Sequence, residues 1–543
     1  MQENKDRQGQ DAGYNDLYTE LTRYCAGDHY PYHMPGHKRN GEAGPMARYY
    51  EIDITEIDGF DDLHLAQGIL KEAQERANRL YGGSETETFY LVNGSTCGIL
   101  ASIMTVAERG EEILVARNCH KSVYHAAILQ ELELQYYHPA VIEEYGICGG
   151  VNAEEIAYLL RQHTDCKAVV ITSPTYEGIL SDVRAVADVV HGQNKILIVD
   201  AAHGAHLGLD GKQPPGAVSC GADLVIHSLH KTLPAMTQTA LLHVQGTRVD
   251  RDRLHKYLRM LQTSSPSYVL MASMDTCIRY VESHGAERCM FMRQEYDIFC
   301  KKLDKCKHIR IGRIPHEKTR KDEESASTLS GRQERSSSIE RKYHIAAWDI
   351  GKILLYTWDG SLHGRQLYDL LREEYHLQME MAAEKYVLAI MTIMDTQEGW
   401  QRLADALRQI DDRIETGNIA IPERTPDEER DAETDSFVSI TAGMDREREK
   451  TGRSEGGPTA HNKGSMTAAQ AYLGERMQVP LAECTGKVAA EFINLYPPGI
   501  PLVVPGEIIS DELPELIRKY QSMGLQVQGL QLSYNHSARC SRE

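Results

Sequence analysis

The sequence predicts an α/β fold: a mostly parallel sheet with helices on both faces. Two observations predict it. Short apolar runs alternate with amphipathic stretches from about Phe89 to Val244, the pattern of strands joined by crossover helices. The residues best equipped for chemistry stand just past the ends of those runs, where open parallel sheets bind their ligands.

Phe89–Val92, Ile113–Ala116, Ala168–Thr172, Ile196–Asp200, Leu224–Ile226 and Thr239–Val244 read as strands. Gly98–Glu108, Ser122–Glu131, Ala153–His163 and Asp182–Gly192 read as the helices between them. Leu254–Leu261 and Pro266–Lys302 read as helices leading to a second domain, where Trp348–Tyr356, Gly364–Glu374 and Tyr386–Ile393 suggest a small α/β unit. The expected division is an N-terminal arm over 1–60, a large domain over 61–305 and a smaller C-terminal part over 306–543. Two stretches, 316–342 and 421–466, are charged and poor in large apolar residues. They cannot bury enough apolar surface to offset the entropy of ordering them, and are expected to be disordered insertions or long mobile loops.

The chain has 543 residues and a formal charge of −20. That charge suits solubility, argues against nucleic acid as a partner and is compatible with a cationic substrate. No apolar run approaches the roughly 20 residues of a spanning helix, and the polar stretch Met1–Asp16 has no signal-peptide core. A cytoplasmic protein with no membrane partner is expected. The 12 cysteines show no CxxC pair and no zinc-like spacing, so free thiols and no metal site are expected.

Four segments carry the chemistry. In His227-Ser228-Leu229-His230-Lys231-Thr232 a lysine stands just past a strand; by itself it would be a solvated surface charge, but burial or a neighbouring cation would lower its pKa and free its amine. Ile196-Leu197-Ile198-Val199-Asp200 is a buried strand with one carboxylate at its tip, followed by Ala201-Ala202-His203-Gly204. An aspartate there suits the pyridine nitrogen of pyridoxal phosphate, which must stay protonated to accept electrons. Asp200 could equally cap a turn. Asn93-Gly94-Ser95-Thr96 follows a strand and opens a helix, which favours a phosphate, although Ser and Thr are also ordinary helix caps. The fourth segment, Arg117-Asn118-Cys119-His120, places a histidine at another strand end; His120 could stack on a flat ring or cap a helix. Together these segments supply a phosphate cradle, a ring stack, a pyridinium partner and a Schiff-base lysine.

The chain resembles the Orn/Lys/Arg decarboxylases of pyridoxal-phosphate fold type I, in the shorter bacterial form without an N-terminal wing domain. The resemblance runs from about His33 to the C-terminus apart from the two insertions. It is carried by His33-Met34-Pro35-Gly36-His37-Lys38, Asp61-Asp62-Leu63-His64, Asn93-Gly94-Ser95-Thr96, Ser173-Pro174-Thr175-Tyr176-Glu177-Gly178, Asp200-Ala201-Ala202-His203-Gly204, Ser228-Leu229-His230-Lys231-Thr232, Thr263-Ser264-Ser265-Pro266-Ser267-Tyr268 and Tyr496-Pro497-Pro498-Gly499-Ile500-Pro501.

The resemblance implies that Lys231 carries the cofactor and Asp200 binds its ring nitrogen. Ser95 and Thr96 would hold the phosphate, His120 would stack on the ring and His203 would sit beside it. Ser228 and His230 would lie near the phosphate or the Schiff base, with His230 or Lys231 returning a proton to Cα. It makes 61–305 the cofactor domain and implies a homodimer, with the Thr263–Tyr268 and His33–Lys38 segments reaching a neighbouring site. The implied reaction is decarboxylation of lysine, arginine or ornithine, as in polyamine biosynthesis. Ala201 and His203 depart from some family versions, which leaves the substrate open. Glu491, Glu507 and Asp62 are candidates for its distal charge. An aminotransferase or aldolase of the same fold would share the lysine, aspartate and cradle, and only the wider motif set favours decarboxylation. A silent regulatory homologue is the remaining alternative, although both Lys231 and Asp200 are kept.

Overall fold

The computed structural model describes residues 16–312, 340–419, 436–441, 466–496 and 499–532. The chain forms two units: residues 1–105 with 198–291, and residues 106–197 with 292–543. Its first ten strands are β1 (Thr86–Leu91), β2 (Glu112–Ala116), β3 (Glu133–Tyr137), β4 (Val141–Ile142), β5 (Ile147–Cys148), β6 (Ala168–Thr172), β7 (Ile179–Leu180), β8 (Ile196–Asp200), β9 (Leu224–Ser228) and β10 (Ala240–Gln245). The division between units falls within β8, after Leu197.

In the first unit the strand order is β1-β10-β9-β8. β8 and β9 are parallel, and β10 runs antiparallel to both its neighbours. The unit's helices are α1 (Leu17–Ala26), α2 (Ile69–Tyr81) and α3, which starts at Gly94 and ends at Val106. α2 buries Leu70, Ala73 and Ala77 on one face, the spacing of an amphipathic helix. Its free N-terminal N–H groups are met by Asp61, whose Oδ2 accepts from Gly68 N at 2.7 Å and Leu70 N at 3.2 Å. The acidic Asp61–His64 motif is thus partly a helix cap. α3 lies close against the sheet at Gly98: a Cβ there would come within 2.7 Å of Leu91 Cδ1, so a larger residue would require the Leu91 side chain to shift.

In the second unit β6-β2-β3 are successive parallel neighbours; α4 (Lys121–Leu129) lies between β2 and β3, α5 (Ala153–Gln162) between β3 and β6, and α6 (Val183–His191) follows β6. β3 is absent from the strands expected above. It is the sheet's edge, and in Glu133-Leu134-Gln135-Tyr136-Tyr137 only Leu134 and Tyr137 are buried, so its apolar signal is thin. Further along, β11 (Ile309–Gly312), β12 (Ala347–Trp348), β13 (Lys352–Thr357), β14 (Met381–Ala382) and β15 (Val387–Ile390) follow. β11-β13-β15-β14 form an antiparallel sheet, the small α/β part that the sequence suggests.

Most of the stretches 316–342 and 421–466 lie outside the described residues. One segment of the second does not: β16 (Ser436–Thr441) pairs with β17 (Arg476–Pro480). The expectation of an unstructured insertion is corrected there. Ser-Phe-Val-Ser-Ile-Thr is rich in β-branched residues, and Val438 and Ile440 enter a buried cluster with Ile493, Ile509 and Ile517. β18 (Ile493–Tyr496), β19 (Pro501–Val503), β20 (Gln526–Gln528) and β21 (Leu530–Leu532) complete the chain's strands.

Candidate active site

The first unit assembles Asp200, His203, Ser228, His230 and Lys231. Ser228 is the last residue of β9, one turn before Lys231 in the short helix α7 (Leu229–Thr232). β9 therefore runs two residues beyond its expected end at Ile226, because β10 pairs with it up to Ala240–Ser228. Ala201 N donates to Ile226 O at 3.0 Å and Ser228 N to Ala202 O at 3.3 Å. These bonds hold the segment after β8 against the end of β9 and bring Lys231 Nζ within 3.1 Å of His203 Nε2.

Asp200 is buried, and Ala202 N donates to its Oδ1 at 3.1 Å. Burial raises its pKa above the ordinary carboxylate value, and the charge of Lys231 opposes that rise. A carboxylate so placed gains by facing a cation. His230 is half-buried. Burial lowers its pKa, and Lys231 adds to the effect while a bond to Thr239 opposes it. The neutral ring donates from Nδ1 to Thr239 O at 3.0 Å, which assigns its tautomer and leaves Nε2 as the proton-accepting edge.

Ser95 and Thr96 occupy the first turn of α3, Ser95 half-buried and Thr96 exposed. Gly94 has φ +75°, a conformation that glycine adopts without strain. Asn93 Oδ1 accepts from Thr263 N at 3.2 Å, and His64 Nε2 donates to Thr263 O at 2.9 Å. Tyr268 OH donates to Asp61 O at 2.6 Å. Three sequence motifs far apart in the chain thus meet in one unit.

His120 belongs to the second unit. Its Nδ1 caps α4, accepting from Ser122 N at 3.2 Å. A Cβ on Gly499 (φ +83°) would lie 3.8 Å from His120 Nε2, so Gly499 lies beside that ring. Of the acidic candidates for a distal charge, Glu507 is taken: Arg117 donates to both its oxygens at 2.9 Å, and the pair is buried. Glu491 accepts from Arg476 at 3.3 Å, and Asp62 Oδ1 accepts from His64 N at 2.8 Å. In the Ser173–Gly178 motif, Tyr386 OH donates to the buried Glu177 at 3.2 Å.

Two observations bear on whether these residues fit pyridoxal phosphate. Ser228 Oγ and Thr232 Oγ1 are buried with no hydrogen-bond partner among the described residues, which is costly unless a ligand supplies one. Asp200 offers a desolvated carboxylate suited to a protonated ring nitrogen. The residues present fit the group.

The fold is the one shared by solved lysine decarboxylases, and within it the first unit brings a lysine, an aspartate and a histidine together. The chain belongs to the Orn/Lys/Arg decarboxylase family: its major domain matches residues 15–336 and its C-terminal domain residues 455–530. It is an amino-acid decarboxylase, a carboxy-lyase, and the family implies pyridoxal phosphate as cofactor. Over 94% of this chain and 95% of the relative, it is 32% identical to the protein YaaO of Bacillus subtilis. It is 27% identical to arginine decarboxylase of the same organism, over 97% of this chain and 98% of the relative. The crystallised lysine decarboxylase A of Pseudomonas aeruginosa superposes with a TM-score of 0.71 at 21% identity, over 93% of this chain and 75% of that one. Among the described residues, no helix is long and apolar enough to cross a membrane.

Proposed function

We propose that this chain decarboxylates a basic amino acid with pyridoxal phosphate bound in the first unit. The single observation that carries the reading is Lys231 within 3.1 Å of His203, beside the buried Asp200 and the unpartnered Ser228 hydroxyl. The cofactor supplies an electron sink for the pair released when a bond to Cα breaks. Lys231 is the amine that would hold it. Asp200 would keep the proton on the ring nitrogen, and its burial makes that opposite charge favourable. Ser228 Oγ, Ser95 and Thr96 would donate to the phosphate, with the N–H groups of the first turn of α3 adding to the field. His203 fixes the position of Nζ by accepting its hydrogen bond. His230, neutral and with Nδ1–H committed to Thr239, has Nε2 with which to carry a proton; Lys231 Nζ is the other group able to return one to Cα. A homodimer in the cytoplasm and a domain division at residues 60 and 305 belong to the same reading.

Arginine is the first substrate to try, since the relative matching nearly the whole chain is named an arginine decarboxylase. The test offers arginine, lysine and ornithine to the purified protein with pyridoxal phosphate, and identifies the amine formed with the CO2. One diamine or agmatine-type product in equal amount to CO2 is expected. Lys231→Ala should lower that rate by at least about 10³-fold. Keto-acid formation without CO2, or an unchanged rate in the alanine variant, sinks the reading.

A further inference from the structure

Val92 is the first residue past β1, and it is buried at 1% exposure. Its backbone groups need partners, because buried N–H and C=O groups are nearly always bonded. Continuing the β1–β10 register beyond Leu91–Ala240 would pair Val92 with Thr239. That pairing does not occur. Thr239 N donates to Met236 O at 3.2 Å, and Thr239 O accepts from Leu229 N at 3.1 Å and from the His230 ring at 3.0 Å. Two glutamines serve Val92 instead. Gln262 Oε1 accepts from Val92 N at 2.9 Å, and Gln238 Nε2 donates to Val92 O. Gln238 has φ +85°, a region that residues bearing a Cβ adopt at a cost and keep mainly where function repays it.

We propose that Gln238 and Gln262 are positioning residues of the cofactor-phosphate cradle, clamping the two backbone groups of Val92 and so setting how Asn93–Thr96 enters α3. Gln238 precedes Thr239, whose carbonyl holds the His230 ring and the start of α7. One short turn therefore ties the cradle to the lysine segment. This rests on the reading of Ser95 and Thr96 as phosphate ligands.

The test measures binding of pyridoxal phosphate and of pyridoxal, which lacks the phosphate, to the full chain by absorbance. Gln238→Gly accepts the positive φ, so any loss comes from the missing amide. Gln262→Ala removes the other clamp. Each should raise the Kd for pyridoxal phosphate about tenfold, the effect of one to two lost hydrogen bonds, and leave the Kd for pyridoxal unchanged. Wild-type affinity for pyridoxal phosphate in both variants overturns the proposal. So does an equal loss for both ligands, which marks general damage. If the unaltered protein itself binds pyridoxal as tightly as pyridoxal phosphate, the phosphate reading fails first, and the clamp with it. Melting of the cofactor-free variants within a few degrees of the wild type confirms that folding is not what was lost.

Discussion

Arg117 with Glu507 in the second unit, and the buried Asp200 with the half-buried Lys231 in the first, both set opposite charges near one another, but their surroundings differ. Arg117 donates to both oxygens of Glu507 and to the carbonyls of Pro501 and Leu502, while Val504 N donates to Glu507 Oε2 at 2.8 Å. Its geometry fills the lone pairs and protons on each side, as a buried pair requires to hold. Asp200 has one backbone donor, Ala202 N, and the nearby Ser228 and Thr232 hydroxyls have no partner among the described residues. The first arrangement is complete; the second keeps binding capacity in reserve. Charge in a protein interior is satisfied where it builds the fold and left short of partners where a ligand completes it.

The largest expected effect lies on the complete side. Arg117→Met leaves Glu507 buried without its counter-charge and should cost about 3–5 kcal/mol of stability in denaturant unfolding. Adding Glu507→Gln should restore part of that loss. A loss no greater than that of a surface substitution would erase the distinction between the two regions.

Asp200→Asn should behave in the opposite way. Removing a desolvated charge should leave the cofactor-free protein as stable as before or more so, while kcat falls about 10²-fold as the ring nitrogen loses its carboxylate partner. Loss of both stability and activity would place Asp200 among the structural charges.

A third, smaller effect comes from the opposite face of β9. His227 Nδ1 lies 3.0 Å from His243 Nε2, and His243 Nδ1 lies 2.8 Å from Thr88 Oγ1. Tyr81 packs against both rings. Burial, assisted by His206, lowers the pKa of His227 to about 3, and burial with His227 beside it holds His243 well below its ordinary value. The unfolded chain takes up these protons near pH 6.5, whereas the folded chain protonates His227 only near 3 and His243 well below its ordinary value. Stability from the neutral rings is therefore full above pH 6.5 and declines as pH falls toward 3. For His227 alone the decline reaches about 2 kcal/mol by pH 5. Asp200, its pKa raised, acts in the opposite sense, since protonation in acid relieves its buried charge. Unfolding free energies from pH 7.5 to 5 should fall in the wild type and fall less in His227→Gln. Equal slopes would show that the histidines exchange protons with solvent in the folded state.

Much of the site was legible along the chain. Asp200 closes an apolar strand, and Lys231 and Ser95 lie in the first helical turns after two others, so their placement near strand ends followed from periodicity. The contacts between them were not legible. His203 reaches Lys231 across 28 positions, by way of bonds between the ends of β8 and β9. Gln238 and Gln262 belong to no pattern that marks a clamp, since their role appears only when Val92 leaves the ladder. Glu507, one of the acidic candidates for the substrate's distal charge, is committed to an arginine 390 positions away. The edge strand β3 and the strand β16 escaped because their apolar signal is short or set in polar surroundings.

The sequence by itself determined the alternation of strand and helix, the family and the positions of the reactive groups, because local periodicity and composition act over a few residues. The tertiary structure alone decided which of those groups are satisfied and which are held ready. Burial and hydrogen-bond partnership depend on segments brought together from distant parts of the chain.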